Sequence, residues 1–334
     1  MSSTEKKSVR IFVKECLSIA LIIVFLCEII FVASRDPSSY GAATIGKMRR
    51  LENAPQPRLI LVGGSGIAFG LDSNTLKKET SLNPVNLGLY AGFGIDFMLA
   101  QASSGAKTGD LIILIPEFDI LDSVPSATGF ISLEALQQDP QLTPFVFSNP
   151  KSSISLLRQF PGWLSTRVYS LIGKYVVDPI KPREETLYRR VYKASNFNEY
   201  GDMVGHLSES YLLPVSEITA TSTAFSDIPN TETIAHIDAF ILAEEKKGVT
   251  VLFSWPALPK TVYRNNESNL LKQEEYIVNQ LGTEKILGRQ KDFIFDDGQF
   301  FDSIGHLTAD GREIRTARLA QLLRAPLELE RTND

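Results

Sequence analysis

The chain has 334 residues, 43% of them apolar and 22% charged, which is the composition of a globular protein with one large or two modest domains. Its formal charge is 34 − 39 = −5, so charge gives no reason to expect a nucleic acid partner. Only two Cys and three His are present, which excludes a zinc site built on cysteines and makes each His informative.

An apolar run near the N-terminus, from Cys16 to Ala33, is long enough to cross the hydrocarbon core of a bilayer. Three interpretations are open: a retained anchor, which we favour, a signal peptide cleaved near Ala33, or a buried core helix. The basic residues before the run, Lys6, Lys7, Arg10 and Lys14, favour a cytoplasmic N-terminus. Because Arg35, Lys47, Arg49 and Arg50 follow the run closely, the charge bias is weak, and the topology rests mostly on the single N-terminal span. We therefore predict a cytoplasmic tip and a single-pass anchor over residues 1–36, in the inner (cytoplasmic) membrane. The rest of the chain is then expected on the periplasmic or extracellular side.

Residues 37–57 are polar and interrupted by Pro and Gly, which predicts a linker. Apolar runs that suit buried strands follow, and they lie at Arg58–Ser65, Pro84–Leu89, Asp110–Asp119 and Val249–Pro256.

Helical patterns alternate with these runs, and they lie at Ser73–Thr80, Ile95–Ala106, Thr233–Lys247, Leu270–Leu281 and Ala309–Leu323. Asp72 and Thr308 are the expected N-caps of the first and last of these helices, and Gly248 is expected to end the third. Strands that are apolar on both faces and alternate with helices predict a parallel sheet covered on both sides. We thus predict one α/β domain over residues 58–330, with a mostly helical insertion at about 121–230.

The turn Gly63-Gly64-Ser65-Gly66 directly follows the first predicted strand. Ligands of open α/β sheets bind at the carboxyl ends of the strands, so this turn is well placed for a site. A phosphate-binding loop is excluded because no lysine follows, and the glycine spacing departs from a dinucleotide fingerprint by one residue. A third interpretation, which we favour over a dinucleotide site, is a nucleophilic serine, which requires a base and an orienting carboxylate elsewhere in the chain.

Such a pair lies near the C-terminus, where Asp302 precedes His306 by four residues on a loop before the last predicted helix. The carboxylate can bond one imidazole nitrogen and leave the other nitrogen to accept the serine proton. Together with Ser65 at a strand-to-turn position, the pair gives the chain order Ser–Asp–His, which strengthens the interpretation of Ser65 as a nucleophile.

The chain resembles the SGNH (GDSL-type) hydrolase superfamily in four stretches, LILVGGSGIAFGLDS (59–73), VNLGLYAG (85–92), DLIILIPEFD (110–119) and FFDSIGHLTADGREIRT (300–316). More narrowly, it is similar to bacterial membrane-anchored SGNH-like proteins of surface polysaccharide assembly, including alginate-type O-acetylation proteins. The segment Asn196–Asp202 also looks like one that is found in such proteins. The resemblance implies a flavodoxin-like three-layer sandwich with a parallel sheet.

The resemblance also implies a role for each residue of the catalytic site. Ser65 would be the nucleophile, His306 the general base and Asp302 its orienting partner. The N–H groups of Ser65 and Gly88 would form the oxyanion hole. Gly64, Asn86, Glu117 and Trp255 are further candidates for the lining of the site, although a tryptophan such as Trp255, beside Pro256 at a strand end, is more often a core residue than a platform for a sugar.

Three positions depart from the family pattern. Gly64 stands where the family has Asp in its first block, and Glu117 stands where its third block supplies Asn. The final block has one residue more between Asp302 and His306 than the usual D-x-x-H. A carboxylate at position 117 would repel a developing oxyanion unless it were protonated or turned away.

The expected activity is acyl-ester chemistry, either transfer or removal of O-acetyl groups, on a cell-envelope or exported polysaccharide. The alternative is a non-catalytic SGNH-like protein that binds glycan or helps to assemble a polysaccharide export machine. A membrane-embedded acyltransferase or export protein is the expected partner. No cofactor and no metal ion are expected.

Overall fold

A computed structural model describes residues 3–125, 129–180, 186–209, 213–220 and 224–333. Two compact units are distinguished, one made of Met1–Asp36 and Leu157–Glu184, the other of Pro37–Leu156 and Glu185–Asp334. The second unit contains the sheet and every candidate site residue.

The second unit is a mixed α/β structure around a parallel four-stranded sheet of order β2-β1-β3-β4. Its strands are β1 Arg58–Val62, β2 Asn83–Asn86, β3 Leu111–Leu114 and β4 Thr250–Phe253. A two-stranded parallel ladder, β5 Leu258–Pro259 with β6 Ile294–Phe295, lies after it in the chain. Each strand of the sheet overlaps one of the four apolar runs, with only β2 beginning one residue earlier, at Asn83, so the prediction of a buried parallel sheet is confirmed.

The helices begin with α1 Ser3–Ala33, which includes a 29-residue candidate span, Glu5–Ala33, with a mean hydropathy of 2.9 in its most apolar window. The helices before β4 are α2 Ala43–Asn53, α3 Ser65–Gly70, α4 Ser73–Thr80, α5 Ile95–Gly105, α6 Phe118–Asp122, α7 Phe130–Gln138, α8 Thr143–Val146, α9 Pro150–Ile172, α10 Leu187–Val191, α11 Val215–Ala220 and α12 Thr231–Glu245. After β4 come α13 Lys260–Leu281 and α14 Ala309–Asn333.

Predicted capping residues lie at or near the ends of three helices. Asp72 accepts from the Asn74 N–H at 3.0 Å and starts α4, while Thr308 accepts from the Gly311 N–H at 3.4 Å before α14. Gly248 follows α12 at φ +78°, a conformation that favours glycine. Both α13 and α14 are longer than predicted, because their outer turns are polar and lack the apolar spacing.

The core on one face of the sheet joins residues of the strands to α3, α4 and α14, through Leu59, Leu61, Ile113, Leu76, Leu319 and Leu323 among others. On the remaining side, α5 contacts β1, α12 contacts β4, and the two helices contact each other. β1 and β3 are buried at every position, as expected when both faces of a sheet are covered.

The structure differs from the linker prediction for residues 37–57. This stretch contains α2, whose buried side chains lie one helical turn apart at Thr44, Lys47, Met48 and Leu51. Lys47 is buried and its ammonium donates to the backbone oxygens of Asn86 and Gly201. Burial lowers the pKa of Lys47 to about 7, although Asp202 acts in the opposite direction. Because Lys47 interrupts the apolar pattern on the buried face of α2, hydrophobic periodicity did not predict this helix.

The insertion predicted at about 121–230 is helical over much of its described length, but it is not one separate element. Residues 157–184 belong to the unit that contains α1, whereas 185–230 belong to the unit that contains the sheet. Three residues from this second part, Tyr192, Asp202 and His206, pack around the candidate site.

Candidate functional site

Ser65 is the first residue of α3, directly after β1 and the pair Gly63-Gly64. The turn is tight, because a Cβ added at Gly63 would collide with the Ile115 backbone oxygen. The Ser65 side chain is partly exposed and lines a cavity of about 240 Å³. A short strand-to-helix turn thus presents a serine at the carboxyl edge of the sheet.

Asp302 and His306 form a hydrogen-bonded pair, with 2.7 Å between Asp302 Oδ1 and His306 Nδ1. Both side chains are almost buried, and their loop is closed by a bond from the Phe301 N–H to the His306 oxygen at 2.8 Å. Burial would raise the pKa of Asp302, but the hydrogen bond and charge of His306 and a bond from Tyr192 outweigh it and lower that pKa. The D-x-x-x-H spacing therefore brings a carboxylate onto one imidazole nitrogen.

The serine turn and the histidine loop pack against each other. Phe69, one helical turn after Ser65, stacks on the His306 imidazole with 3.9 Å between ring centroids and 8° between planes. The Gly305 oxygen lies 3.4 Å from where a Cβ of Gly66 would be, and both Ser65 and His306 line the same cavity. Among the described residues, no hydrogen bond joins the Ser65 hydroxyl to His306 Nε2. Such bonds are often long in structures without substrate.

Tyr192 is a site residue that the sequence did not indicate. Its hydroxyl donates a short hydrogen bond to Asp302 Oδ2 and lies 3.2 Å from His306 Nδ1. Burial raises the pKa of Tyr192, and the Asp302 charge raises it further. Both oxygens of the Asp302 carboxylate are therefore bonded, one to the imidazole and one to the phenol. Tyr192 lies in a stretch without a motif, so no sequence signal pointed to it.

The side-chain carboxylate of Glu117 lies at the N-terminus of α3, beside Ser65. Its carboxylate accepts from the Gly64 N–H at 2.9 Å and from the Gly66 N–H at 2.8 Å. A Cβ at Gly64 would lie 2.6 Å from both carboxylate oxygens, which explains why no side chain stands at position 64. Burial raises the pKa of Glu117 and nearby Asp119 adds to this, while the two N–H bonds act against it.

The N–H group of Gly88, a predicted donor of the oxyanion hole, already makes a hydrogen bond within the domain. Its N–H donates to Asn86 Oδ1 at 3.0 Å, and Gly88 is not among the residues that line the cavity. A Cβ at Gly88 would lie 2.6 Å from the Gly64 oxygen, so the glycine allows the turns after β1 and β2 to approach. Of the two predicted donors, only the Ser65 N–H lacks an acceptor among the described residues, as expected for the first N–H of a helix.

Asn86 and the segment Asn196–Asp202 hold this region together. The buried Asp202 carboxylate accepts from Asn86 Nδ2 at 2.8 Å, from the Ser73 hydroxyl at 2.6 Å and from Arg312 at 3.3 Å. It thereby joins the end of β2 to α4 and α14. Asn86 is a supporting residue and does not line the cavity.

Trp255 is a core residue. It is fully buried, its Nε1 donates to the Gly288 oxygen at 3.2 Å, and its ring meets Phe253 edge to face at 5.2 Å. The next three residues line the cavity instead, so the core interpretation of Trp255 holds and it offers no sugar platform.

The cavity combines an apolar wall with acidic groups. Its apolar side chains are Ala91, Phe118, Phe225, Pro256, Ala257, Leu258 and Ile304. Its ionisable lining residues are His306 and two carboxylates, Glu117 and Asp119, and no Lys or Arg lies among them. Burial also raises the pKa of Asp119.

Within the described ranges, no group of three or more His, Cys, Asp or Glu side chains is arranged to hold a metal ion. Comparison of the chain with protein-family models and with curated proteins gives no match.

Proposed function

We propose that this protein carries out acyl-ester chemistry through a Ser65–His306–Asp302 triad on an SGNH-like, flavodoxin-like scaffold. The reaction is O-acetyl transfer to, or removal from, a cell-envelope or exported polysaccharide. The observation that carries the proposal is that Ser65 and His306 line one cavity while Asp302 bonds the imidazole at 2.7 Å. An imidazole oriented by a carboxylate beside a serine is the arrangement that activates a hydroxyl for acyl transfer.

In this mechanism His306 Nε2 takes the Ser65 proton as the hydroxyl oxygen attacks the ester carbon. Asp302 holds the imidazole by Nδ1 and stabilises its charged form, and Tyr192 holds Asp302. The oxyanion binds at the Ser65 N–H. His306 then protonates the leaving alcohol oxygen as its bond to the acyl carbon breaks. In the second half, His306 takes the proton of water or of an acceptor hydroxyl that attacks the acyl carbon, and it returns that proton to the Ser65 oxygen as the ester bond to Ser65 breaks. Burial raises the pKa of Glu117, and protonation of its carboxylate would remove the repulsion between this group and the oxyanion.

We place the protein in the cytoplasmic membrane, with α1 as a single span and the site on the outer side. The apolar window of Glu5–Ala33 and the basic residues before it support this topology. Tethering would raise the effective concentration of a membrane-embedded partner that supplies acyl groups or exports the polymer.

A non-catalytic role in glycan binding or assembly is the second candidate. Glu117 favours it, because its carboxylate occupies the Gly64 and Gly66 N–H groups on both sides of Ser65. A site whose donors are already bonded to a carboxylate stabilises an oxyanion poorly.

The test uses the full chain in detergent, with a fluorophosphonate probe and a chromogenic acetyl ester. Wild type is compared with Ser65→Ala and His306→Ala, and Ser303→Ala is the matched control because Ser303 is another serine of the same cavity. Labelling and turnover in wild type and Ser303→Ala, lost in the other two, would establish the acyl-enzyme. A folded wild-type protein that neither labels nor turns over would favour the binding role, which calorimetry with an acetylated polysaccharide can then examine.

A further inference from the structure

Residues 157–180 carry a concentration of exposed apolar side chains. This segment comprises α9 from residue 157 to its end at Ile172, the π-helical turn Gly173–Val177 and the three residues after it. Eight large apolar side chains are exposed within these 24 residues, whereas ten are spread over the rest of the described chain outside α1. The eight are Leu157, Val168, Tyr169, Ile172, Tyr175, Val176, Val177 and Ile180. Exposed apolar surface of this density marks a site of interaction with a protein or a membrane.

The segment contacts α1 at the end of its apolar run. Trp163 is buried, and its ring lies 5.6 Å from that of Phe31, in the last turn of α1. Both residues belong to the same compact unit. About 20 residues of helix cross the hydrocarbon core, and Ile11 to Phe31 is such a length. Phe31 therefore falls at the outer membrane–water boundary when α1 spans the bilayer, and the Trp163 contact holds α9 at that level.

The composition of the segment matches that boundary. Arg158, Arg167 and Lys174 outnumber the single acidic residue Asp178, and the Arg167 guanidinium lies 5.5 Å from the Trp163 ring centroid. Phe160 also packs on Trp163, at 5.8 Å. Tryptophan and tyrosine concentrate at the interface of bilayers, and basic residues beside apolar ones bind anionic headgroups.

We propose that residues 157–180 form a second membrane-binding element, which lies in the interface of an anionic bilayer beside the outer end of α1. The intervening residues 37–156 are then attached to the membrane at both of their ends. The proposal concerns lipid binding and is independent of the chemistry at Ser65.

The test places an environment-sensitive fluorophore on the full chain in lipid bilayers. Cys16 and Cys27, the only cysteines, are replaced by serine, and a single cysteine is introduced as Ile172→Cys. The matched control is Leu271→Cys, because Ile172 and Leu271 are equally exposed, at 46% and 47%. Leu271 lies on α13, in the unit that contains the sheet.

Bilayers of phosphatidylcholine with anionic phosphatidylglycerol are prepared with and without lipids that carry a nitroxide near the glycerol end of the acyl chain. Because interfacial helices bury their apolar face roughly 5–10 Å deep, we expect the nitroxide to quench the label at position 172 by about half or more. The label at position 271 should stay unquenched. If the nitroxide quenches the label at position 172 no more than the label at position 271, the proposal is overturned. That result would point to a protein as the occupant of this surface.

A double variant, Val176→Asp with Ile180→Asp, confirms that the quenching comes from the proposed surface. Both side chains are exposed, so the change leaves the core untouched. We expect quenching at position 172 to fall to the level at position 271. Unchanged quenching in this variant would show that α1 alone brings the label to the lipid, and would also overturn the proposal.

Discussion

The hydroxyl of Tyr192 offers a sharp test of the site, because one atom can be removed without changing the packing. Tyr192→Phe keeps the ring and its contacts with Phe69 at 5.5 Å and Tyr188 at 4.3 Å. It deletes the bond that the hydroxyl donates to Asp302. Asp302 then retains only His306 as a side-chain partner among the described residues.

The expected loss of stability follows from the type of bond. A hydrogen bond to a charged group contributes roughly 1.5–3 kcal/mol, and the partial exposure of Tyr192 lets water replace it in part, so we expect a loss of about 1.5 kcal/mol. For a domain of this size, such a loss lowers Tm by roughly 3–6 °C.

The loss should also depend on pH. The bond helps to lower the pKa of Asp302 in the folded state, so its contribution is present above the ordinary carboxyl pKa of about 4 and disappears as the pH falls through the lowered value. The difference between wild type and Tyr192→Phe should therefore be full at pH 7 and should shrink below about pH 4.

Thermal unfolding of the full chain, followed by circular dichroism at several pH values, measures these effects. Tyr188→Phe is the matched control, because Tyr188 stacks on the Tyr192 ring and its hydroxyl makes no hydrogen bond to a described residue. We expect the control to change stability by less than about 0.5 kcal/mol. If the proposed chemistry holds, fluorophosphonate labelling of Tyr192→Phe should slow by about tenfold, the equivalent of the lost bond. Equal unfolding of wild type and Tyr192→Phe at pH 7 would refute the reasoning.

Three further predictions concern the supports of the site and of the sheet. Gly64→Ala should lower the free energy of unfolding by about 1–3 kcal/mol, because its Cβ would collide with Glu117 and with the Ala91 N–H nitrogen; a chemical denaturation curve that overlays wild type would contradict this. Glu117→Gln should flatten the pH dependence of Tm. Because burial raises the pKa of the Glu117 carboxyl in the folded state, wild type loses stability as the pH rises from about 4.5 through the raised pKa. Parallel Tm profiles of the two proteins would show that the carboxylate of Glu117 is not buried at a cost. Arg58→Met should lower the free energy of unfolding by about 3–5 kcal/mol, since it leaves the fully buried Asp110 carboxylate without its ion-pair partner. The double variant Arg58→Met with Asp110→Leu should recover much of this loss. A double variant as unstable as Arg58→Met alone would argue against the unpaired carboxylate as the cause.

The sequence was sufficient for the features that depend on local chemistry. Mostly apolar runs of six to ten residues between helical patterns predicted the buried parallel strands, since such strands need apolar side chains on both faces. Asp72, Thr308 and Gly248 gave helix ends because caps act within a few residues. The spacing of Asp302 and His306 predicted their contact for the same reason, as four residues of loop allow only a short reach.

Only the tertiary structure revealed the features that join distant parts of the chain. Glu117 reaches the N–H groups on both sides of Ser65 across more than fifty residues, and its contact with Gly64 explains a glycine that the sequence could only record as a departure. Gly88 lies shortly after β2, where an oxyanion donor was predicted, yet its N–H donates to Asn86, and no spacing rule reveals that bond. Tyr192 comes from a stretch without a motif and binds Asp302 because two surfaces meet there. Hydrophobic periodicity and capping residues predict structure that depends on residues close together in the chain. Contacts between residues that packing brings together from distant parts of the chain produce no pattern in the local sequence, so only the tertiary structure reveals them.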